Sequence, residues 1–341
     1  MKKRVLIAGI GGASLGTEIF KSLKTTKNYD IFGVDVSPYA FGLYQDGFKK
    51  TFLIGQKNFA TNVLKICKRE KIDAVIPGGE KPLVLISRQR KLFENKNVCL
   101  VINSDQVIRL CTDKIKTFDF LKKEGIPVPK TKLISKEKDL LNFSFPCVMK
   151  PSLGSGGSRF LFITENLEEA KRYFNYCRKN RRKIIIQEYV SEKEGEYTVG
   201  VLSLPDGQIA GSIALKRLFD SGLSVSVKSK NRLISSGYSQ GLINDFKKIR
   251  EQAEKIAKIL KSRGSLNVQG RVKRGIFYPF EINPRISAST YLRTMAGFNE
   301  TDMYLKYLLD HKKPAIKKIR YGYYLRSLDE NFVSLKEIKK L

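Results

Sequence analysis

Residues 145–164 read FPCVMKPSLGSGGSRFLFIT, in which two short apolar segments flank a glycine-rich loop. This pattern predicts a flexible β-hairpin. Lys150 precedes the four small residues Gly154, Ser155, Gly156 and Gly157. Backbone N–H groups of such a loop can close over phosphate oxygens, and a nearby lysine can balance their charge. The Walker P-loop is excluded, because no Gly-Lys-Ser/Thr follows and the loop joins two strands. A plain Gly-Ser turn remains the alternative.

A second polar constellation follows at residues 281–285, which read EINPR. Glu281 and Asn283 alternate along a predicted strand and therefore point to the same side. Gln269 lies on the preceding predicted strand, so a short antiparallel pairing would bring its carbonyl beside Glu281. Carboxylate and amide oxygens are the ligand class that Mg²⁺ requires. The alternative is an exposed polar strand edge.

The N-terminal residues show strand, tight turn and helix in succession. Residues 4–8 read RVLIA, glycines follow at 9, 11, 12 and 16, and apolar residues then recur at helical spacing. The next predicted strand ends at Asp35, where a dinucleotide-binding fold would hold a ribose. The glycines do not spell GxGxxG, so close packing of helix on strand explains them better than a bound dinucleotide. Alternating strands and helices to about residue 108 predict a small parallel sheet covered on both faces.

Composition limits the classes of protein that fit. The chain has 341 residues, 42% of them hydrophobic, and a formal net charge of +31, which excludes a disordered chain and a small disulfide scaffold. The charge fits an anionic partner, but no zinc-finger, basic-zipper or RNA-binding signature accompanies it, so we do not expect nucleic-acid binding. Five widely spaced cysteines fit reduced thiols and a cytoplasmic setting. No apolar run of about 18 residues is present, so no membrane partner is expected.

Six motifs in order resemble the ATP-grasp superfamily, and in particular one half-module of the carbamoyl phosphate synthase large chain. They are DK at 113–114, FPCVMKPSLGSGGS at 145–158, IQEYV at 186–190, EGEYTV at 194–199, NVQ at 267–269 and EINPRISAST at 281–290. The resemblance implies an α/β and α+β fold, with a Rossmann-like pre-ATP-grasp domain (1–108) before a two-lobed ATP-grasp domain. The small lobe would span 109–187, the large lobe 188–310, and a basic extension 311–341.

The resemblance also implies roles for individual residues. Lys114 and Lys150 would contact ATP phosphates under the 154–157 loop, and Arg285 would stabilise charge on the transferred group. The hinge against adenine would be formed by Glu188, Tyr189 and Val190, with Glu196 on the ribose. One or two Mg²⁺ ions, with Mn²⁺ as an alternative, would be bound by Gln269, Glu281 and Asn283.

The expected activity is an ATP- and Mg-dependent ligase that activates a carboxylate as an acyl phosphate for capture by an amine. A single module argues against complete carbamoyl phosphate synthesis by this chain. The alternatives are a subunit that phosphorylates bicarbonate or carbamate, and a nucleotide-responsive binding subunit without chemistry. The partners would be small carboxylates and amines, with a homodimer compatible with the family. Cations considered for holding a carboxylate are Lys216, Arg217, Arg232, Arg285 and Arg293, and all except Arg285 are interpreted as surface residues.

Overall fold

The computed structural model describes residues 2–153, 160–334 and 336–340. It begins with a five-stranded parallel sheet in the order β3-β2-β1-β4-β5. The strands are β1 (Lys3–Ala8), β2 (Tyr29–Asp35), β3 (Lys50–Leu53), β4 (Ala74–Pro77) and β5 (Cys99–Leu100). The helices are α1 (Leu15–Lys24), α2 (Phe59–Arg69), α3 (Glu80–Ser87), α4 (Arg90–Glu94) and α5 (Asp105–Cys111). The predicted Rossmann-like domain is confirmed, although β3, α3, α4 and α5 were not predicted.

A four-stranded antiparallel sheet forms the small lobe, in the order β6-β9-β7-β8. The small lobe as a whole consists of α6 (Lys114–Lys123), β6 (Thr131–Ile134), β7 (Cys147–Pro151), β8 (Phe162–Thr164), α7 (Leu167–Lys179) and β9 (Ile184–Glu188). Asp113 caps α6 by accepting a hydrogen bond from the backbone N–H of Lys116 at 3.2 Å. β7 and β8 pair antiparallel, as the predicted hairpin requires. The loop residues 154–157 lie outside the described residues.

The large lobe is built on a six-stranded antiparallel sheet in the order β16-β15-β10-β11-β14-β17. Its strands are β10 (Glu196–Ser203), β11 (Ile209–Leu218), β14 (Gln240–Ile243), β15 (Ser265–Lys273), β16 (Ile276–Asn283) and β17 (Gly322–Tyr324), and β12 (Val225–Ser229) and β13 (Arg232–Ser235) form a separate hairpin. The helices are α8 (Lys247–Ile259), α9 (Thr290–Met295) and α10 (Glu300–Asp310). Short 3-10 turns occur at Phe41–Leu43, Glu137–Asn142 and Gly222–Ser224.

One hydrophobic core joins the N-terminal domain to the large lobe. Ile19 and Phe20 of α1 are buried in the same cluster as Leu292 of α9 and Met303 of α10. The Tyr29 hydroxyl donates a hydrogen bond to Asp302 Oδ1 at 2.8 Å across this boundary. The first domain is therefore packed firmly against the lobe that carries β15 and β16.

The basic C-terminal residues are part of this fold rather than a simple extension. β17 pairs antiparallel with β14, with Tyr324 opposite Gly241, and adds an edge strand to the large sheet. No strand was predicted there, because three residues carry too little periodicity. The five cysteines are free thiols, four of them buried. Among the described ranges, no helix is both long and apolar enough to cross a bilayer.

Candidate active site

A cleft of about 440 Å³ lies where the small lobe faces β15 and β16. Nine of the predicted site residues line it: Lys114, Lys150, Glu188, Tyr189, Val190, Glu196, Gln269, Glu281 and Arg285. A small adjoining cavity adds Asn283 and shares Lys114, Glu281 and Arg285 with the cleft. Residues that are far apart in the sequence are thereby brought to one place. Gly154, Ser155, Gly156 and Gly157 lie outside the described residues.

Lys150 projects from β7 into the cleft as a buried cation. Its Nζ donates hydrogen bonds to Gln187 Oε1 at 2.9 Å and to the Phe280 carbonyl at 3.0 Å. Burial lowers the pKa of Lys150 to about 7, and the negative charge of Glu281 partly opposes that shift. A buried lysine with two neutral acceptors is stabilised in its charged form when an anion arrives. This arrangement suits a phosphate ligand.

The oxygen ligands predicted on β15 and β16 come together as expected. Gln269 lies opposite Glu281 in the antiparallel register, and Asn267 lies opposite Asn283. Gln269 Oε1 accepts a hydrogen bond from Arg217 Nη2 at 2.8 Å, which fixes the orientation of the amide. The buried Nδ2 of Asn283 has no hydrogen-bond partner among the described residues.

This donor set fits Mg²⁺ held jointly with a nucleotide. One carboxylate and two amides supply hard oxygens. No group of three His, Cys, Asp or Glu side chains that could hold a metal occurs in the described part of the chain. Phosphate oxygens and water would complete the coordination, which is the way Mg²⁺ is usually bound in nucleotide sites.

Arg285 reaches the cleft immediately after β16. Its Nη1 donates to the Ile286 carbonyl at 3.0 Å and its Nη2 to Asn283 Oδ1 at 3.4 Å. Burial lowers the pKa of the Arg285 guanidinium, while the negative charges of Glu281 and Glu80 oppose the shift. The side chain is thus held beside the candidate metal ligands by the loop that carries it.

Glu196 lies in the wall of the cleft, and its ribose-binding role stays a prediction. Its carboxylate is fully buried, and its Oε2 accepts a hydrogen bond from Arg271 Nε at 2.7 Å. Arg217 forms an ion pair with Oε1 at 3.1 Å, and the Ser235 hydroxyl also donates to it. These three side chains leave a further acceptor site on the carboxylate. Glu196 therefore also holds the two arginines in the wall of the cleft.

The predicted hinge residues Glu188 and Tyr189 are held by contacts with the large lobe. Glu188 Oε1 accepts a hydrogen bond from Lys273 Nζ at 2.8 Å. The Tyr189 hydroxyl accepts from the Leu233 backbone N–H at 3.1 Å, and the Arg271 guanidinium lies 4.9 Å from the Tyr189 ring centroid. These contacts fix the backbone at residues 188–190, where the edge of a purine could be bound.

Two arginines interpreted as surface cations are in fact buried, so that interpretation is wrong for them. Arg217 is 5% exposed and engaged with Glu196 and Gln269. Arg293 is completely buried, forms an ion pair with Glu300 at 3.1 Å and donates to Asn267 Oδ1 at 2.7 Å. Arg232 pairs with Glu165, and Lys216 is half-buried. Charge counting missed the acidic partners, because each of them lies on a different element from its cation.

Sequence reasoning also missed Glu80. This residue begins α3 in the N-terminal domain and lines the small cavity with Lys114, Asn283 and Arg285. A signal was available, since Glu80 follows Gly78 and Gly79 directly after a buried strand, and polar residues at the carboxyl ends of parallel strands face ligands. The N-terminal domain therefore contributes a carboxylate to the site.

Comparison with known proteins settles the family. The ATP-grasp domain family matches residues 111–289, more than half of the chain. The chain belongs to the ATP-grasp family. The N-terminal domain of PylC-like proteins matches residues 5–101 of this ATP-grasp protein. The resemblance drawn from the six motifs is confirmed.

Curated relatives of this ATP-grasp chain include carbamoyl phosphate synthases. The protein of Methanobrevibacter smithii is 26% identical over 243 residues, which cover 67% of this chain and 62% of the relative. The large chain of Clostridium beijerinckii is 28% identical over 271 residues, covering 76% of this chain and 24% of the relative. The chain thus spans less than two thirds of either relative and corresponds to a half-module of the large chain.

Solved structures share the fold at low sequence identity. The biotin carboxylase domain of Hydrogenobacter thermophilus 2-oxoglutarate carboxylase, solved with MgADP and bicarbonate, superimposes with a TM-score of 0.69 at 18% identity, covering 95% of this chain and 73% of that one. An L-amino acid ligase from Bacillus licheniformis gives a TM-score of 0.69 at 15% identity, with coverages of 94% and 78%. The two-lobed ATP-grasp fold after a Rossmann-like domain is therefore established.

Proposed function

We propose that this ATP-grasp protein is an ATP- and Mg-dependent ligase that activates a carboxylate as an acyl phosphate and joins it to an amine. The observation that carries the proposal is the meeting of Lys150, Glu281 and Arg285 in one cleft. A phosphate-binding lysine, a carboxylate suited to a metal and an arginine are the groups that phosphoryl transfer needs.

The proposed reaction has two steps. A carboxylate oxygen attacks the γ-phosphorus of ATP, and the bond to ADP breaks. An amine then attacks the acyl carbon, and phosphate leaves. Lys150 and Lys114 bind the phosphates and Arg285 stabilises charge on the transferred group. Gln269, Glu281 and Asn283 would hold Mg²⁺, which would supply further charge neutralisation. The backbone at 188–190 positions the adenine. The groups are fixed before substrate binds, so little reorganisation is required.

Phosphorylation of bicarbonate or carbamate is the second candidate. The curated relatives named above favour it, since both are carbamoyl phosphate synthases. A catalytically inactive binding subunit is less well supported, because such a protein has no physical need for Glu281, Asn283 and Arg285 together.

Assembly, location and metal choice are further parts of the proposal. The H. thermophilus neighbour was solved as a domain dimer, and we propose a cytoplasmic homodimer here too. Mn²⁺ is proposed to replace Mg²⁺, because it accepts the same oxygen ligands. Size-exclusion chromatography with light scattering tests the oligomeric state, and turnover with each metal tests the choice of metal.

The decisive experiment measures phosphate release from Mg·ATP by the purified protein. The panel contains amino acids, small carboxylates, bicarbonate and amines, singly and in pairs. Hydroxylamine is included because it traps acyl phosphates as hydroxamates. Release that requires a carboxylate together with an amine establishes a ligase. Release with bicarbonate alone supports the second candidate, and absence of release with every combination contradicts both.

Glu281→Gln is expected to lower kcat by at least about 100-fold, because it removes charge compensation at a metal that contributes several kcal/mol to phosphoryl transfer. The melting temperature should stay the same, since Glu281 lies in the wall of an open cleft. Glu251→Gln on the exposed face of α8 is the matched control. Parallel loss of activity and of melting temperature in Glu281→Gln would indicate a structural role instead.

A further inference from the structure

A dense cluster of positive charge lies where α7 turns into β9. Residues 178–183 read RKNRRK, so five of these six residues are cations, and no acidic residue occurs between Glu169 and Glu188. All six residues are exposed. The segment 178–183 is called the basic turn here.

The acidic side chains on and beside α7 are engaged with other residues. Glu168 pairs with Lys171 at 2.9 Å, and Glu137 of the adjoining 3-10 turn accepts a hydrogen bond from Asn175 at 2.8 Å. Among the described residues, none of the five cations of the basic turn forms an ion pair, whereas Lys171 in the same helix does. The charge of the basic turn is therefore not balanced by the described part of the chain.

The helix dipole accounts for only part of the basic turn. Arg178 and Lys179 lie in the last turn of α7, where cations are favoured by the partial negative charge of the helix end. Arg181, Arg182 and Lys183 lie beyond the helix. Five like charges within six residues repel one another, and a bound polyanion would offset that repulsion.

Hydrogen bonds hold the backbone of the basic turn in one conformation. The Arg181 N–H donates to the Arg178 carbonyl at 2.9 Å, and the Arg182 N–H donates to the Cys177 carbonyl at 3.0 Å. The Lys183 carbonyl accepts a hydrogen bond from the Ser152 N–H of the neighbouring chain segment at 3.0 Å. Only side chains have to be ordered when a partner binds, so the entropic cost of binding is reduced.

Arg182 connects the basic turn to the cleft between the lobes. Its side chain lines the cleft together with Phe160 and Leu161. The other four cations do not line the cleft and lie on the exposed surface beside it. Small ligands are usually enclosed by a concave site. Exposed cations that lead to the mouth of a cleft instead suit an extended polyanion that crosses the surface and enters the cleft.

The aromatic rings beside the basic turn are occupied by contacts within the small lobe. Phe162 stacks on Tyr173 with ring centroids 4.1 Å apart, and the Arg182 guanidinium lies over Phe160, 5.3 Å from the ring centroid. Tyr176 lies edge-on to Phe162 at 6.2 Å. Single-stranded nucleic acid needs free ring faces on which successive bases stack. An acidic polypeptide needs only cations, because its carboxylates form charge-assisted hydrogen bonds with arginine and lysine.

We propose that the basic turn docks an acidic segment of a polypeptide, rich in Glu or Asp, at the mouth of the cleft. Arg178, Lys179, Arg181 and Lys183 bind successive carboxylates on the surface, and Arg182 binds the carboxylate that enters the cleft. The entering carboxylate is then the acyl substrate, a role that rests on the proposed ligase function. Docking itself requires only the basic turn.

Fluorescence anisotropy on the full chain tests docking separately from turnover. The probes are labelled decaglutamate, decaglutamine and decauridylate, each titrated at low and at physiological salt. Decaglutamate should bind at least about tenfold more tightly than decaglutamine at low salt, and its affinity should fall as salt rises, because the contacts are exposed ion pairs. Equal binding of decaglutamate and decaglutamine overturns the proposal.

A triple variant locates the docking surface. Arg178→Gln, Arg181→Gln and Arg182→Gln together should weaken decaglutamate binding at least about tenfold, and the corresponding three Arg→Lys substitutions should retain most of it, because charge is what the peptide reads. The control combines Lys255→Gln, Lys258→Gln and Lys261→Gln, which remove the same charge from exposed positions at the C-terminal end of α8. Circular dichroism checks that each variant is folded.

Equal loss of decaglutamate binding in the two Gln triple variants would mean that the overall charge of the protein attracts the peptide, and it overturns the docking surface. Decauridylate that binds more tightly than decaglutamate, and loses affinity in the α7 variant alone, also overturns it, since the basic turn would then bind nucleic acid.

Phosphate release separates this inference from the ligase proposal. Decaglutamate binding that depends on the basic turn, without phosphate release from Mg·ATP for any carboxylate and amine, confirms docking and contradicts the ligase. Phosphate release with a small carboxylate and an amine, without decaglutamate binding at low salt, confirms the ligase and overturns docking.

Discussion

Lys150 shows how burial of one side chain couples nucleotide binding to pH. Burial lowers the pKa of Lys150 to about 7, so the amine is largely neutral above that pH in the free protein. Bound phosphate favours the charged form, so binding above pH 7 requires proton uptake. The affinity for Mg·ADP should therefore fall between pH 7 and 9, by up to about tenfold per pH unit. Calorimetry in buffers of different ionisation enthalpy measures both the affinity for Mg·ADP and the number of protons taken up on binding.

Lys150→Arg is the control for the pH dependence of Mg·ADP binding, because an arginine stays charged between pH 7 and 9. The variant should bind Mg·ADP without proton uptake, whatever its affinity. Unchanged proton uptake in Lys150→Arg would assign the titration to another group and contradict the prediction.

At the scale of elements, the packing of α9 on β10 depends on a glycine. A Cβ added at Gly200 would lie 2.3 Å from Arg293 Nη1. Arg293 is completely buried and held by Glu300 and Asn267, so it has little freedom to move. Gly200→Ala should lower the free energy of unfolding by about 1–3 kcal/mol through overpacking. Urea unfolding followed by circular dichroism measures the change.

Gly222→Ala is the matched variant for that experiment. A Cβ at Gly222 meets nothing within 4 Å, so the substitution should leave stability unchanged or raise it by about 0.4–1 kcal/mol. Equal destabilisation by Gly200→Ala and Gly222→Ala would indicate a general cost of replacing glycine. It would contradict the prediction that the contact with Arg293 causes the destabilisation.

At the scale of the whole molecule, Arg326 links three parts of the chain. Its side chain is buried, and its Nη2 donates to Glu18 Oε2 of α1 at 3.1 Å and to the Ala288 carbonyl at 2.9 Å. Its guanidinium lies 4.5 Å from the Tyr238 ring centroid. Arg326→Met leaves the Glu18 carboxylate buried without this cation, so the free energy of unfolding should fall by about 3–5 kcal/mol. Urea unfolding at pH 7.5 measures the loss.

The pH dependence of the Arg326→Met variant provides the check. Burial raises the pKa of Glu18, and the positive charge of Arg326 opposes that shift. Without Arg326 the folded state binds a proton more readily than the unfolded state, so stability should fall as pH rises through the raised pKa. The destabilisation should be smaller at pH 5 than at pH 8, and Glu18→Gln combined with Arg326→Met should recover part of it. If the loss of stability in Arg326→Met is the same at pH 5 and pH 8, the buried charge of Glu18 does not explain it.

Local patterns in the sequence predicted much of the site. The hairpin at 145–164 and the pairing of Gln269 with Glu281 were predicted from short motifs. The placement of Lys150 and Arg285 in one cleft was implied by the resemblance to the ATP-grasp superfamily. The roles of Gly154–Gly157 and of the metal ligands remain predictions. Short strands such as β3 and β17 were missed, because three or four residues carry too little periodicity.

The sequence by itself determined the family and the succession of a Rossmann-like domain and an ATP-grasp domain, and it predicted the residues for phosphoryl transfer. Only the tertiary structure decided the burial of Arg217 and Arg293, the engagement of Glu196 and the arrival of Glu80 and Arg326 from distant segments. The physical reason is that motifs report chemistry between residues close in the chain. The state of a charged side chain is set by which partner the folded core brings to it, and that partner lies on another element, as Glu196 does for Arg217, Glu300 for Arg293 and Glu18 for Arg326.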